Sequence, residues 1–523
     1  MRRAALILST LVFVLFMAGC GSQSSTSSNP VVTNPQTVPV SMTVTDTPPK
    51  NVTVLFFQLN ITGAVLSPGS VSLLPSTNPI PVNVTQLQTE SAFLGSQNVT
   101  AGTYTSLSLT FSNPQLTIFN GSGATIGTGA NACANNSVCQ LAPTVDGSLM
   151  LTFSTAPFPV TVATNSPLAF KLDIHLDTVI QSDLSINLAA TNGVTISQLQ
   201  APSGSTTVTP LGKLTGTIQS VNSSTTPNSF TLQTGDGRSF TIDVNSSTTY
   251  NYPTAVCSTD TFACLATQQI VKVAVSLQTG GTLLASSVAY VQPASQLVVE
   301  GNILRVNTSN GNTILDMILQ KGPPPPASAA GLVPIGQRAT VSVPPGSAVT
   351  YAIDAGTFVI PNGLTFASIS DLLAGQTVRI VVAPGTVTAP TGAGSPISIT
   401  SPAATTFTAS SITLETSQIT GTVAALNTGN LSLTLSTLPN YFVPPTAVAS
   451  TSPPIPAPVN ITVDTTSATT FLPLTLTPDT FLGLKVNDVV SVQGWVFSTP
   501  LTNPAITLAA EGVLDRGSIT PLF

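Results

Sequence analysis

Charged residues are scarce in this sequence of 523 residues: Lys, Arg, Asp and Glu make up 6% of it, against about 25% in ordinary soluble domains. The 13 basic and 19 acidic residues give a formal net charge of −6 and form no basic cluster. Because nucleic-acid binding needs a positively charged footprint on the protein, we expect no nucleic acid among the partners.

Residues typical of catalytic centres are scarce as well. The chain has a single histidine, His175, and it lacks a Gly-x-Ser-x-Gly motif. A lone histidine without a second histidine or a nucleophile motif lacks the partners that hydrolysis needs. We therefore expect a protein that is not an enzyme and that carries no cofactor.

Polarity comes instead from Thr, Ser, Asn and Gln, in a chain that is rich in Val and Ile. Val, Ile and Thr favour strands because their branched side chains pack well on a pleated surface. The shortage of Lys, Arg and Glu removes the usual exposed face of helices. The sequence therefore predicts an all-β fold.

The amino terminus has the pattern of a secretory signal. Arg2 and Arg3 precede an apolar stretch over residues 4–18, and this order of basic and apolar segments is typical of export. The stretch is too short for a membrane-spanning helix, which needs about 20 apolar residues. We therefore expect an exported chain.

The signal ends in a short motif around Cys20. Met17-Ala-Gly-Cys20 resembles the lipobox of bacterial lipoproteins, in which the cysteine is acylated and becomes the new amino terminus. The resemblance implies a signal peptide over residues 1–19 and a lipid on Cys20 that attaches the chain to a membrane. Gly21 in place of an acidic residue implies the outer membrane. The alternative is a plain secreted protein with an incidental Cys20.

Residues 20–37 are rich in Ser, Thr and Asn, which is the composition of a flexible linker. We predict a flexible stalk there, so the folded part would begin at residue 38. Two proline-rich stretches further along, at residues 323–326 and 444–458, are predicted to be loop insertions.

Four further cysteines lie in two close pairs. Cys133 and Cys139 lie in one polar loop, and Cys257 and Cys264 lie in another. An exported chain meets an oxidising compartment, so we predict two short-range disulfides. The alternative is a metal site built from these four thiols. Zinc motifs usually space their pairs by two to four residues, which makes this alternative the weaker one.

The first part of the folded chain carries two recognisable strands. Residues 39–47 alternate and end in Asp46 before two prolines, and the stretch from Ala101 to Phe111 places Leu107, Leu109 and Phe111 on one face. These motifs resemble the bacterial family catalogued as domain of unknown function 4382. The resemblance implies a β-sandwich over residues 38–203 and no activity.

The rest of the chain repeats itself. A glycine opens an alternating strand in residues 215–221, 300–306 and 420–426, and each repeat later carries an apolar strand and a closing strand. Five or six short strands per repeat suit a small closed barrel. The repeats resemble domain of unknown function 5666. We predict three β-barrel-like repeat domains at residues 211–293, 296–416 and 417–523.

One strand offers a candidate metal or catalytic site. In the stretch from Phe170 to Thr178, Asp173, His175 and Asp177 alternate with apolar residues, so a strand would place all three on one face. Two carboxylates beside an imidazole could hold a divalent metal or relay a proton. The competing interpretation is a polar face opposite a buried one, and it is favoured because no other ligands accompany the three residues.

These observations predict a lipid-anchored cell-envelope protein with a non-catalytic structural or binding role. Its hydroxyl- and amide-rich surface suits contacts with polysaccharide or with other envelope proteins, which need hydrogen bonds more than charge. One alternative is a periplasmic metal-binding protein or envelope enzyme centred on Asp173, His175 and Asp177. Another is a secreted adhesin, which requires Cys20 to be unmodified.

Overall fold

The computed structural model describes most of the chain from residue 37 onward. The described residues are 37–47, 53–74, 78–87, 91–120, 124–135, 137–164, 166–200, 207–224, 226–309, 311–320, 335–356, 358–388, 397–398, 405–436, 460–472, 480–499 and 506–516. The predicted signal peptide, Cys20, nearly all of the predicted stalk and both proline-rich stretches lie outside these residues. None of the helices among them is long and apolar enough to cross a membrane.

Twelve strands lead the described chain. They are β1 (Thr37–Thr47), β2 (Thr53–Ser67), β3 (Val71–Ser72), β4 (Ile80–Asn83), β5 (Ala92–Thr100), β6 (Gly102–Tyr104), β7 (Ser106–Asn120), β8 (Ser137–Leu141), β9 (Met150–Phe153), β10 (Val160–Val162), β11 (Leu168–His175) and β12 (Val194–Gln200). The helix α1 (Leu176–Val179) is a single turn, and short 3-10 turns lie at Val84–Gln86 and Gly129–Asn131.

Most of these strands form a β-sandwich, as predicted. One sheet has the order β12-β11-β1-β5, and the other contains β8-β7-β2-β3 with β4 on β2 and β9 on β7. Both sheets contribute to one apolar core. Alternation explains this arrangement, because Leu107, Leu109 and Phe111 of β7 are buried on the face that the sequence predicts. A small separate pair, β6 with β10, completes this part.

Nineteen strands follow the sandwich. They are β13 (Thr207–Asn222), β14 (Asn228–Thr234), β15 (Ser239–Val244), β16 (Thr249–Asn251), β17 (Gln269–Gln278), β18 (Leu283–Pro293), β19 (Val298–Ser309), β20 (Asn312–Leu319), β21 (Arg338–Val343), β22 (Thr350–Ile353), β23 (Thr377–Val382), β24 (Ile397–Ser398), β25 (Thr405–Glu415), β26 (Ser417–Asn427), β27 (Ser432–Ser436), β28 (Ile461–Asp464), β29 (Thr470–Leu472), β30 (Val489–Ser498) and β31 (Ile506–Asp515). Further 3-10 turns lie at Phe262–Cys264, Gly346–Ala348, Ile369–Asp371 and Phe481–Gly483.

All but β24 form three closed barrels, which confirms the predicted fold class. Barrel 1 closes through β13-β14-β15-β18-β17, barrel 2 through β19-β20-β21-β25-β23, and barrel 3 through β26-β27-β28-β31-β30. In each ring the closing pair is parallel, namely β15–β18, β21–β25 and β28–β31. A sixth short strand, β16, β22 or β29, extends the last strand of each barrel. The strand β24 pairs instead with β8 of the sandwich.

The barrels share detail at the level of single residues. The opening glycines Gly216 and Gly301 press against the neighbouring strand, because a Cβ on either would overlap the carbonyl oxygen of Gln233 or Ile318. Only glycine allows this close approach. The sequence signal that marked the repeats therefore has a steric cause.

A second shared detail is the turn before the central strand of each barrel. Gln269, Gln376 and Asp488 each accept a hydrogen bond from the backbone N–H three residues earlier, at 3.0, 2.9 and 2.7 Å. The residue before each acceptor, Gln268, Gly375 or Asn487, has a positive φ. The three barrels are thus repeats of one structural unit. Their predicted boundaries stay a prediction.

The sandwich and the barrels pack into one compact unit over residues 37–523. Phe93 of the sandwich belongs to the core of barrel 1, with its ring 5.6 Å from that of Phe240. Trp495 of barrel 3 lies in the core of barrel 2, where its Nε1 donates to the Asp354 carbonyl at 3.1 Å. The modules therefore share buried side chains across their junctions.

Candidate binding cleft

The predicted disulfides are both present. Cys133 bonds to Cys139 and Cys257 bonds to Cys264, with Cα atoms 5.8 and 5.6 Å apart. The first bridge joins β8 to the loop before it, and the second closes the loop before β17. The prediction of two short-range disulfides is therefore confirmed.

The structure keeps two of the three residues of the candidate metal site together and places the third elsewhere. Strand β11 ends at His175, and α1 carries Asp177 away from the strand face to an exposed position. His175 Nε2 lies 3.8 Å from Asp173 Oδ2 and 3.4 Å from Thr195 Oγ1. The prediction that all three share one face is wrong for Asp177. In the described part of the chain, no group of three or more His, Cys, Asp or Glu side chains is placed to hold a metal.

A cleft of about 220 Å³ lies where the sandwich and the three barrels meet. The sandwich lines it with Thr85, Gln86 and Ser91, and barrel 1 lines it with Lys213, Thr215 and Lys272. Barrel 2 supplies Glu300, Asn302 and Glu415, and the start of barrel 3 supplies Gln418. Residues distant in the sequence therefore share one cavity.

Four charged side chains form a cluster, and two of them, Lys272 and Glu415, line this cleft. Glu415 Oε2 accepts from Lys272 Nζ at 3.0 Å, and its Oε1 lies 2.9 Å from a guanidinium nitrogen of Arg379. Arg379 also reaches Asp354 Oδ2 at 3.2 Å. Glu415 is buried, with 4% of its surface exposed. The cluster therefore ties β17 of barrel 1 to β23 and β25 of barrel 2.

The repeats explain why two cations converge. Lys272 pairs with Thr215, the residue before Gly216, and Arg379 pairs with Glu300, the residue before Gly301. The two cations therefore occupy equivalent places in barrels 1 and 2. In barrel 3 the same place holds Ser491, which pairs with Thr420.

Burial and neighbouring charge set the electrostatics of the cluster. Burial raises the pKa of Glu415 to about 7, although Lys272 and Arg379 oppose the shift. Burial acts to lower the pKa of Lys272, but the carboxylates of Glu415, Glu300 and Asp354 outweigh it and raise that pKa. Both cations therefore stay charged at neutral pH. Glu415, with a pKa of about 7, titrates near neutral pH.

Hydrogen bonds and an ion pair hold the walls of the cleft. Gln418 Nε2 donates to the Gln86 carbonyl at 2.6 Å, and Asn83 Nδ2 donates to Gln320 Oε1 at 2.6 Å. Arg238 donates to the Leu94 carbonyl at 2.5 Å and lies 2.7 Å from Asp236. The turn that carries Asp236 and Arg238 therefore docks barrel 1 on the sandwich.

Two side chains of the cleft keep their polar atoms available. Within the ranges that the structure describes, the Thr215 hydroxyl and the Glu300 carboxylate have no hydrogen-bond partner, although the charge of Glu300 acts on Lys272 and Arg379. Thr215 and Glu300 are both half-buried and line the cavity. An acceptor and a donor that line one cavity suit a ligand rich in hydroxyl groups.

Sequence reasoning missed this cleft and its charged cluster. Lys272 and Glu415 are 143 positions apart, so no local pattern connects them. One signal was present, since a cation interrupts the central strand of two repeats at the same place. In a chain with so few charges, such a coincidence marks positions where charge has a structural or binding role.

The family comparison agrees with the first part of the chain. A family model described as Domain of unknown function (DUF4382) matches residues 37–254. The match spans the sandwich and continues through β16 of barrel 1. A search of curated proteins gave no match. The resemblance of the barrels to domain of unknown function 5666 stays a prediction.

Proposed function

We propose that the chain is a lipid-anchored protein of the bacterial cell envelope with a non-catalytic binding role, and that its ligand is an uncharged polysaccharide. The observation that carries the proposal is the cleft at the module junction. Its walls combine hydroxyl and amide groups with apolar and charged side chains, and the Thr215 hydroxyl and the Glu300 carboxylate line the cavity without a hydrogen-bond partner among the described residues. Sugars are recognised by such hydrogen-bonding groups rather than by net charge.

The packing of the modules supports the same role. A cavity walled by four modules keeps its shape only if the modules are fixed relative to one another. Here buried side chains and the Lys272–Glu415–Arg379 cluster fix them. The arrangement therefore presents a preorganised site.

Native gels containing dextran, laminarin or xyloglucan test the binding role directly. We expect at least one of these neutral polysaccharides to retard the protein. The variant Thr215→Phe fills the cleft and should weaken retardation about tenfold. Thr241→Phe is the matched control, since Thr241 is exposed on β15 of the same barrel, and it should behave as the wild type. Equal retardation of both variants would contradict a site in the cleft.

The anchor is tested separately on cells. With Cys20 acylated, a fatty-acid label should enter the protein and the chain should sediment with outer membranes. Cys20→Ser should carry no label and should be released. A labelled Cys20→Ser protein, or an unlabelled wild type, would remove the anchor from the proposal.

A further inference from the structure

Barrel 1 has an aromatic cluster that the cleft does not include. Three of the six tyrosines of the chain, Tyr250, Tyr252 and Tyr290, lie together where β17 begins and β18 ends. The rings of Tyr252 and Tyr290 are 5.5 Å apart between centroids. Tyr252 is buried and its hydroxyl lies 3.2 Å from Gln269 Oε1. It therefore forms the base of the cluster.

The other two tyrosines are only half-buried. Part of each ring of Tyr250 and Tyr290 is exposed. Among the residues that the structure places, neither hydroxyl has a hydrogen-bond partner. A half-exposed ring with an available hydroxyl offers an apolar face and a polar edge to the same ligand.

The sister barrels show which part of the cluster is structural. Tyr351 of β22 and Phe471 of β29 occupy the place of Tyr250, because all three pair with a buried β-branched residue of the last strand. Tyr351 packs against Phe366 and Phe471 against Phe481. An aromatic residue at this place thus belongs to the barrel itself. Barrel 1 differs from the other two barrels in having two further tyrosines, Tyr252 and Tyr290, beside this position.

The cluster is held rigidly. The Cys257–Cys264 disulfide closes the loop that follows Tyr252. The Tyr252 backbone N–H donates to Asp260 Oδ1 at 2.9 Å, so the loop is also tied to the strand end. Rings that are already ordered lose little conformational entropy when a ligand binds.

We propose that Tyr250 and Tyr290 form a second contact site for the polysaccharide, where a neutral sugar ring stacks on the aromatic faces and its hydroxyls bond to the phenol groups. This inference rests on the proposed function. A sugar ring has an apolar face of C–H groups and a rim of hydroxyls, which matches the two surfaces of a tyrosine.

The test compares equivalent residues of two barrels. The full folded protein is titrated with the polysaccharide that retards the wild type, in native gels, and with its hexasaccharide by calorimetry. We expect Tyr250→Ala and Tyr290→Ala to weaken binding about tenfold, and Tyr290→Phe to weaken it a few-fold. Tyr351→Ala, the equivalent change in barrel 2, should leave binding unchanged.

The outcomes separate the two proposals. Wild-type affinity in Tyr250→Ala and Tyr290→Ala, with loss in Thr215→Phe, overturns the tyrosine site and leaves the cleft. Equal loss in Tyr351→Ala and Tyr250→Ala also overturns it, because the effect would then be common to all barrels. If no neutral polysaccharide binds the wild type, both proposals fail. Near-UV circular dichroism checks folding, and Tyr290→Phe decides if an alanine variant does not fold.

Discussion

The sandwich and barrel 1 are joined to barrel 2 in different ways. The sandwich meets barrel 2 through neutral groups: Asn83 bonds to Gln320, whose Nε2 donates to the Leu55 carbonyl at 2.7 Å, and the Phe56 ring packs on Gly336. Barrel 1 meets barrel 2 through the ionic cluster of Lys272, Glu415 and Arg379. A chain with 6% charged residues thus places a buried ionic cluster at the junction of barrels 1 and 2.

The difference predicts how each junction responds to its surroundings. Amide hydrogen bonds and apolar contacts do not titrate, so the neutral junction should be insensitive to pH. Buried charges keep large desolvation energies in balance with their mutual attraction. The ionic junction should therefore respond to pH and to the loss of either partner.

Phe56→Ala should have the largest effect on stability, because removing the ring leaves a cavity at the neutral junction. Phe56 is 1% exposed, and its ring lies so close to Gly336 that no Cβ would fit there. We expect the free energy of unfolding to fall by about 3 to 5 kcal/mol, equally at pH 5 and pH 8, in urea denaturation. Phe119→Ala, which removes a half-buried ring at the same junction, should cost less. A loss of stability that changes with pH would contradict the predicted difference between the neutral and the ionic junction.

Glu415→Gln should change the pH dependence of stability. Burial raises the pKa of Glu415 to about 7, whereas a Glu exposed in the unfolded chain has a pKa of about 4.3. The folded state then binds the proton more tightly, so the contribution of Glu415 to stability is present at low pH and is lost as pH rises through 7.

At about 1.4 kcal/mol per pKa unit, the whole shift corresponds to about 4 kcal/mol, of which about 2 to 3 kcal/mol is lost between pH 5 and pH 8. In Glu415→Gln the decline between pH 5 and pH 8 should be smaller by that amount, in urea titrations at each pH. Asn83→Ala at the neutral junction should lower stability by the same amount at both pH values. An unchanged slope in Glu415→Gln would show that Glu415 does not titrate in this range.

Lys272→Met should have a moderate effect. The change leaves Glu415 with Arg379 as its cationic neighbour, but the Lys272 side chain is 31% exposed, so solvent screens part of the loss. We expect the free energy of unfolding to fall by about 1 to 2 kcal/mol at pH 8, measured by thermal unfolding. Lys485→Met is the matched control, since Lys485 is exposed on barrel 3. Its free energy of unfolding should stay within about 0.5 kcal/mol of the wild-type value. Equal effects would mean that the ionic junction adds no stability.

His175→Ala should have the smallest effect. The ion pair with Asp173 is long, at 3.8 Å, and both side chains are more than a quarter exposed. Such pairs contribute about 0 to 1 kcal/mol, so the midpoint of urea unfolding should hardly move. A shift comparable with that of Lys272→Met would show that position, rather than burial, decides the value of charge in this chain.

Local sequence patterns were sufficient for the strands, the repeats and the disulfides. The alternation of Leu107, Leu109 and Phe111 identifies a buried face because a strand turns every second side chain inward. Gly216 and Gly301 mark the barrels because a larger residue would meet the next strand. Each of these features depends on neighbours that are close along the chain.

Asp177 shows where a local pattern misled. The alternation of Leu172, Ile174 and Leu176 indicates a strand through residue 177. Leu176 and Val179 are nevertheless both buried, at the three-residue spacing of a helical turn. The apolar residue at position 179 was the available signal, and burying it moves Asp177 off the strand.

The cleft and the tyrosine cluster could not be predicted for another reason. The cleft depends on how whole modules pack, which is decided by surfaces that no single repeat encodes, and the tyrosine cluster depends on how the strands of barrel 1 come together. In the sequence, Tyr290 is one residue of a strand, and nothing near it in the chain indicates its neighbours in the closed barrel. There, β16 and β18 bring it beside Tyr250 and Tyr252.

The position of β1 has a mechanical consequence. This strand is the first of the fold and lies inside its sheet, where Val40–Thr47 pairs in parallel with β11 and Thr37–Val44 pairs antiparallel with β5. Tension that enters through the chain before Thr37 acts along β1 and shears both ladders, so their hydrogen bonds must break together. An edge strand would peel away one pair at a time under a smaller force. The strand that bears the tension is therefore hydrogen-bonded to a neighbouring strand on each side.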